Sequence, residues 1–268
     1  MGAASMSLCH EEAFSSPEQA SPFAEENMLR RINRYWSRRA DAFRRIRREE
    51  VHGDKLPLWS REILPHIPEK CAGARLKVLD VGTGAGFFAV LMATQAGCDV
   101  IGIDLCPDML REAEGLAREC GCDASFRLMD ATSLDFYDET FDCLLVRNLT
   151  WTLLEPEDAY AEWLRVLKPG GVLLNFDADY GAVDFTEIAQ LDGSHAHADM
   201  EKSLLWEGED IRQRLPLSSV KRPEWDIAIL KRLGFSSVTF DNTISERIYR
   251  VKDASYNPVP MFALRATK

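Results

Sequence analysis

Gly82, Gly84 and Gly86 stand at alternate positions directly after the apolar run Val78-Leu79-Asp80-Val81 and directly before Phe87. Glycine lets a backbone turn sharply and approach a ligand closely, and a helix opening behind such a loop offers N–H groups to it. Asp104 ends the next apolar run, DVIGIDL, 18 residues beyond Gly86. A carboxylate at that place can accept both hydroxyls of a ribose. Asp130 and Ala131 end a third run and could offer an acceptor and a backbone N–H to an adenine edge. The chemistry these residues suit is the binding of an adenosine-containing ligand. A dinucleotide fits less well. Its GxGxxG spacing needs a last glycine for helix–strand packing, and Phe87 occupies that place. Asp80 has a second reading, in which it only fixes the glycine loop, and Asp130 could equally cap a turn.

A second group could move protons. Asp177, Asp179 and Tyr180 follow one apolar run, with His195 and His197 in the polar stretch beyond. Histidine titrates near neutrality and is the natural general base among them, although two histidines in a polar loop also read as solvated. Asp177, Asp179, His195 and His197 could together face a metal. No metal is assigned to them.

The elements that must position these residues alternate. Apolar runs at 76–81, 99–105, 124–129, 141–147 and 172–176 predict strands, and 87–96, 107–120 and 156–167 predict helices between them. Strands separated by helices imply βαβ units and a mostly parallel, doubly wound sheet covered on both faces. Such coverage explains strands that are apolar throughout instead of alternating. Residues 1–24 read as a loose tail and 25–70 as a helical cap. Residues 71–178 form the core, 179–220 an insertion, and 221–268 a closing helix (221–233) with two adjacent strands (237–242 and 261–267). An insertion of that length is more often a functional lid than a plain connection.

In the cap, Met28, Leu29, Ile32, Tyr35, Trp36, Ala40, Phe43 and Ile46 recur at helical spacing, opposite a face rich in arginine (Arg30, Arg31, Arg34, Arg38, Arg39, Arg44, Arg45, Arg47, Arg48). That face reads as a solvated surface paired with local acids, or as a contact for RNA or anionic lipid. A formal charge of -11 argues against a general nucleic-acid binder. Seven scattered cysteines with no CxxC pair read as reduced, mostly buried thiols. The opening MGAASMSLCHEE has neither the basic start nor the apolar run of a secretory signal, and Met6 stands where myristoylation wants Ser or Thr. No stretch is long and apolar enough to span a membrane. The expectation is a cytoplasmic protein that needs neither nucleic acid nor membrane, of undetermined oligomeric state.

Four segments in order, LDVGTGAG, VIGIDLCPDML, MDAT and EWLRVLKPGGVLLNFDADY, resemble the consecutive motifs of class I, Rossmann-like S-adenosylmethionine-dependent methyltransferases. The resemblance covers roughly residues 76–178. It implies a seven-stranded sheet with an antiparallel last strand, and S-adenosylmethionine as cofactor. It places Gly82, Thr83, Gly84 and Gly86 along the methionine part, Asp104 at the ribose, and Asp130 with Ala131 at the adenine, with Asp80, Leu105 and Met109 also counted among the cofactor-binding residues. Asn148 and Tyr35 would also face the cofactor. The segment Tyr35-Trp36-Ser37-Arg38-Arg39-Ala40 resembles one that covers the cofactor in this family, although Tyr35 and Trp36 could as well be core.

Arg147, Thr150, Trp151 and Asp177 would form the acceptor site, with His195, His197 or Tyr180 as base where the acceptor arrives protonated. Asp177, Asp179, His195 and His197 do not match the oxygen-ligand pattern of the magnesium site that catechol-type methyltransferases carry near this place. The function implied is methyl transfer to the oxygen, nitrogen or sulfur of a small molecule enclosed by 179–220. Three alternatives stay open: a protein that binds the cofactor without transferring methyl groups, an RNA or protein methyltransferase using the arginine-rich helix, and a nucleotide-dependent oxidoreductase.

Overall fold

The protein is described by a computed structural model covering residues 22–69, 73–190 and 200–268, with side chains from Met28 onward. His195, His197, Cys71 and most of the expected N-terminal tail lie outside the described residues.

The chain opens with α1 (Pro22–His52), the single amphipathic helix that its apolar stripe predicts, followed by the short α2 (Lys55–Ile63). Strands and helices then alternate, except between β3 and β4: β1 (Lys77–Val81), α3 (Phe87–Gln95), β2 (Asp99–Asp104), α4 (Pro107–Glu119), β3 (Ala124–Leu128), β4 (Phe141–Arg147), α5 (Pro156–Val166) and β5 (Leu167–Ala178). After β5 come α6 (Phe185–Ile188), α7 (Lys202–Arg214), α8 (Glu224–Leu233), β6 (Ser237–Asp241), α9 (Ile244–Ile248) and β7 (Met261–Thr267). Local chemistry sets several ends. Pro107 opens α4 with Asp108 in its first turn, and Gly234 closes α8 in the left-handed conformation at φ 106°.

The strands form one seven-stranded sheet in the order β3-β2-β1-β4-β5-β7-β6. β1 pairs in parallel with β2 and β4, while β7 runs antiparallel to both β5 and β6. This is the doubly wound, mostly parallel sheet with a reversed last strand that the sequence predicts.

Two boundaries differ. β5 starts five residues before the expected 172, because Leu167 pairs with Phe141 and a register shift follows between Phe141 and Cys143. The Lys168-Pro169-Gly170-Gly171 segment therefore belongs to a strand instead of closing a helix. α8 begins at Glu224 and not at 221, with Pro223 at its N-cap. The closing strands are adjacent as expected, although β7 lies inside the sheet, only β6 forms the edge, and α9 intervenes.

Two cores sandwich the sheet. On one face Val78, Leu145, Cys143 and Leu174 pack with α1, α2 and α3 through Tyr35, Trp59, Phe88 and Leu91. On the other, Leu79, Val81, Leu144 and Leu173 pack with α5 and α8 through Tyr160, Trp163 and Leu230. Among the described residues, no helix is long and apolar enough to cross a membrane.

Candidate functional site

The glycine loop after β1 is held by Asp80, the last inward carboxylate of that strand. Its Oδ2 accepts from Thr83 Oγ1 at 2.6 Å and from the Ala89 N–H at 3.0 Å, tying the loop to the first turn of α3. Burial pushes the Asp80 carboxyl up to about 7. Gly86 adopts φ 89°, and a Cβ there would meet the Ala113 Cβ of α4 at 2.9 Å. Only glycine meets both demands.

Asp104 ends β2 beside this loop. Its Oδ2 accepts from the Gly84 N–H and its Oδ1 from the Cys106 N–H, each at 2.9 Å. Two backbone donors fix the carboxylate plane and leave further lone pairs on both oxygens. Burial raises its proton affinity, opposed by those two N–H groups. At the end of β3, Asp130 Oδ1 accepts from both the N–H and the hydroxyl of Thr132 at 2.8 Å, fixing the turn.

These strand ends border a cavity of about 510 Å³, roofed by α1. Asp104 and Asp130 give it an acidic end, whereas its walls toward β4 and β5 are aromatic, formed by Trp151, Tyr180, Phe185 and Tyr249 and joined by Trp36 of α1. Trp151 stands 6.3 Å from Trp36 and 4.7 Å from Tyr180, ring centre to ring centre. Asn148 turns the chain after β4 in the left-handed region at φ 53°, and its Oδ1 accepts from the Tyr180 hydroxyl at 3.1 Å. The Asn257 Nδ2 donates to the same hydroxyl at 2.8 Å.

A family profile described as a methyltransferase domain matches residues 79–175. That match runs from β1 through most of β5, the strands whose ends border the cavity. Over 118 residues the chain is 31% identical to the ubiquinone/menaquinone biosynthesis C-methyltransferase UbiE of Bdellovibrio bacteriovorus, a match covering 44% of this chain and 49% of that protein. The chain thus spans about half the length of the curated relatives it matches. Among solved structures it resembles phosphoethanolamine N-methyltransferase 2 of Haemonchus contortus in complex with S-adenosyl-L-methionine, with a TM-score of 0.55 and 21% identity over 83% of this chain and 56% of that one. It also resembles the [4+2]-cyclase SpnF, with a TM-score of 0.51 and 22% identity over 80% of each chain. These likenesses show the fold.

The structure brings most of the expected site residues to one cavity: Asp80, Gly82, Thr83, Gly84, Asp104, Leu105, Met109, Asp130, Ala131 and Asn148, with Tyr35 from α1. Arg147, Trp151 and Tyr180 line it too. Three expected residues do not. Gly86 lies behind the loop against α4. Thr150 is fully buried, its hydroxyl accepting from Asn175 Nδ2 at 2.9 Å. Asp177 faces away from the cavity, because its carboxylate accepts from Arg222 Nη1 at 2.9 Å and from the Trp151 N–H at 3.1 Å. Asp177 thereby holds Trp151 in place from behind and does not itself face a substrate. Burial raises its proton affinity, opposed by the Arg222 charge.

Tyr180 is a poor base. Burial, and after it the Asp177 charge, push its phenol far above the ordinary range, so it stays a neutral donor and acceptor.

Sequence reasoning missed Arg47, Tyr249 and Asn257. Arg47 carried a readable signal, since it stands four residues after Phe43 and continues the inward stripe of α1. Tyr249 and Asn257 come from irregular chain near β7 and had none. Of the other arginines of α1, Arg39 turns inward, lines the cavity and donates to the Tyr35 hydroxyl at 3.1 Å, while several on the outer face pair with acids. Arg31 and Arg38 reach Glu207 and neighbouring acids of α7, and Arg44 and Arg48 reach Glu112 and Glu119 of α4. Those arginines are paired with acids as the first reading of the face expects, whereas Arg39 and Arg47, expected on the same face, line the cavity.

Proposed function

We propose that the protein is an S-adenosylmethionine-dependent methyltransferase acting on a small molecule enclosed between α1, the β4 and β5 ends and the 179–220 segment. The observation that carries this reading is the single cavity that runs from the two fixed carboxylates, Asp104 and Asp130, to the aromatic wall of Trp36, Trp151 and Tyr180.

The residues fit the cofactor. Asp104 keeps acceptor capacity for a ribose, Asp130 and Ala131 stand one strand further out for an adenine, and the glycine loop offers open backbone to an amino-acid tail. Aromatic faces beyond suit a cationic sulfonium. Bound there, the cofactor supplies a methyl group on an already activated leaving group. What remains for the protein is placement. Trp151, held by Asp177 and packed on Tyr180 and Phe185, orients an acceptor. Asn148 and Asn257 fix the Tyr180 hydroxyl as a neutral hydrogen-bonding group. Positioning of this kind supplies about 7–11 kcal/mol of a barrier in favourable cases. The 179–220 segment serves as the lid, with α7 clasped to α1 through Arg31, Arg38 and Glu207. That clasp neutralises part of the basic face and supports a small acceptor over RNA.

Calorimetric titration with S-adenosylmethionine and S-adenosylhomocysteine, beside an Asp104→Ala control, tests the reading. Binding that is lost in the control supports it. No binding to either ligand overturns it. The likeness to a cyclase adds a second reading of the same cavity, cofactor binding without methyl transfer. Failure to form S-adenosylhomocysteine across a broad acceptor screen would support that one.

A further inference from the structure

The end of the cavity away from Asp104 and Asp130 holds more positive charge than the protein neutralises. Arg47 of α1 and Arg147 of β4 both line it, and they share one carboxylate, Glu50, which lies behind them and does not line it. Arg147 donates to Glu50 Oε1 at 2.8 Å and Oε2 at 3.2 Å, and Arg47 donates to Oε2 at 2.5 Å. The side chains are buried, Glu50 completely and Arg147 to 7% exposure. Two guanidinium groups against one carboxylate leave a net positive charge in a low-dielectric place. Arg147 also donates to the Tyr249 hydroxyl at 3.1 Å, while its Nε is buried without a hydrogen-bond partner among the described residues. Lys55, whose ammonium lies 4.9 Å from the Tyr249 ring centre, brings no further excess, because Asp253 matches it at 3.3 Å.

An uncompensated buried charge is expensive, and a ligand of opposite charge relieves it. Burial, and after it the Arg147 charge, weakens proton binding at Arg47. The surroundings are flat and apolar, with the Arg47 guanidinium 5.1 Å from the Phe43 ring centre and the Tyr249 ring alongside. We infer that Arg47 and Arg147 form an oxyanion subsite that takes a carboxylate, or a like-charged oxygen group, carried on a planar apolar acceptor. This rests on the methyltransferase reading, since it assigns the acidic end to the adenosine and the basic end to the acceptor. The cofactor's own amino-acid carboxylate offers the same chemistry, so the test must separate the two sources.

The probes are benzoate and its neutral isostere benzamide, titrated into the S-adenosylhomocysteine complex of the wild type and of Arg47→Gln and Arg47→Lys. Arg47→Gln leaves Glu50 paired with Arg147 and so keeps the buried charge balanced. The expected result is benzoate binding at least about tenfold tighter than benzamide in the wild type. Arg47→Gln removes that preference, Arg47→Lys restores part of it, and the affinity for S-adenosylhomocysteine stays within about twofold throughout. Equal binding of the two probes to the wild type overturns the inference. So does an Arg47→Gln loss of S-adenosylhomocysteine affinity that spares methylthioadenosine, which lacks the amino-acid tail. If S-adenosylhomocysteine does not bind the wild type at all, the methyltransferase reading fails separately. The benzoate preference and its loss in Arg47→Gln, measured on the protein alone, then still decide for or against the subsite.

Discussion

Replacing Arg222 with methionine tests how the acceptor wall is held. Its guanidinium donates twice to Asp226, at 2.8 and 2.9 Å, and once to Asp177 at 2.9 Å, and all three side chains are completely buried. Asp226 also accepts from the Tyr160 hydroxyl at 2.6 Å, and Asn175 Nδ2 donates to that hydroxyl in turn at 3.0 Å. Methionine fills similar volume but leaves two carboxylates facing each other without a cation. Breaking a buried pair in this way costs about 3–5 kcal/mol, or about 6–20 °C in melting temperature for a chain of this size.

The loss has a pH signature. Burial already raises the Asp177 carboxyl in the wild type. Removing the guanidinium raises it further, so the variant takes up protons on folding. A group with a raised folded value contributes stability that is complete below its unfolded value and lost as pH rises through the folded one. The wild-type advantage is therefore widest at neutral and alkaline pH and narrows on acidification. Urea unfolding at several pH values measures it, and adding Asp226→Asn to the variant should restore at least about 1 kcal/mol by removing one buried charge. A loss below about 1 kcal/mol at pH 7.5, or a gap that does not change with pH, would falsify the account.

Asp80→Asn should flatten part of the stability profile. With Asp80 raised from 3.8 to about 7, the wild type loses about 3 kcal/mol relative to the variant as pH climbs from 4 to 7, and parallel denaturation curves at both ends of that window would refute this. Gly102→Ala puts a Cβ 2.7 Å from the Phe126 ring and 2.8 Å from the Thr83 hydroxyl. Crowding of this sort costs about 1–3 kcal/mol. It also displaces Thr83 from Asp80, so thermal unfolding and S-adenosylhomocysteine affinity should fall together, and a neutral substitution sinks the argument.

The central strands and the glycine loop were legible because their determinants are local. An apolar run, a turn of glycines and a helix start occupy consecutive positions, and Asp104 follows at a spacing fixed by one βα unit. The start of β5 was not legible. Lys168-Pro169-Gly170-Gly171 looks like punctuation, and only pairing with Phe141 across a bulge makes it strand. The role of Asp177 was equally hidden, because a carboxylate after a strand reads the same whether it meets a ligand or a guanidinium 45 residues away. Glu50, Arg147 and Tyr249 likewise meet across separations of 97 and 102 residues. No period in the sequence reports such a meeting, since tertiary packing alone creates it.

α1 is one unbroken rod that delivers Tyr35 to one part of the cavity and Arg47 to another. Twelve residues of helix set those side chains about 18 Å apart along its axis. The rod therefore acts as a gauge block, and its phase matters as much as its length. One residue inserted between Tyr35 and Arg47 would advance the far end by about 1.5 Å and rotate it by about 100°, swinging Arg47 out of the cavity and Glu50 away from Arg147 while every strand stayed in place. Length variation among natural versions of this protein should accordingly collect before Met28 or after His52, and be excluded from the span between.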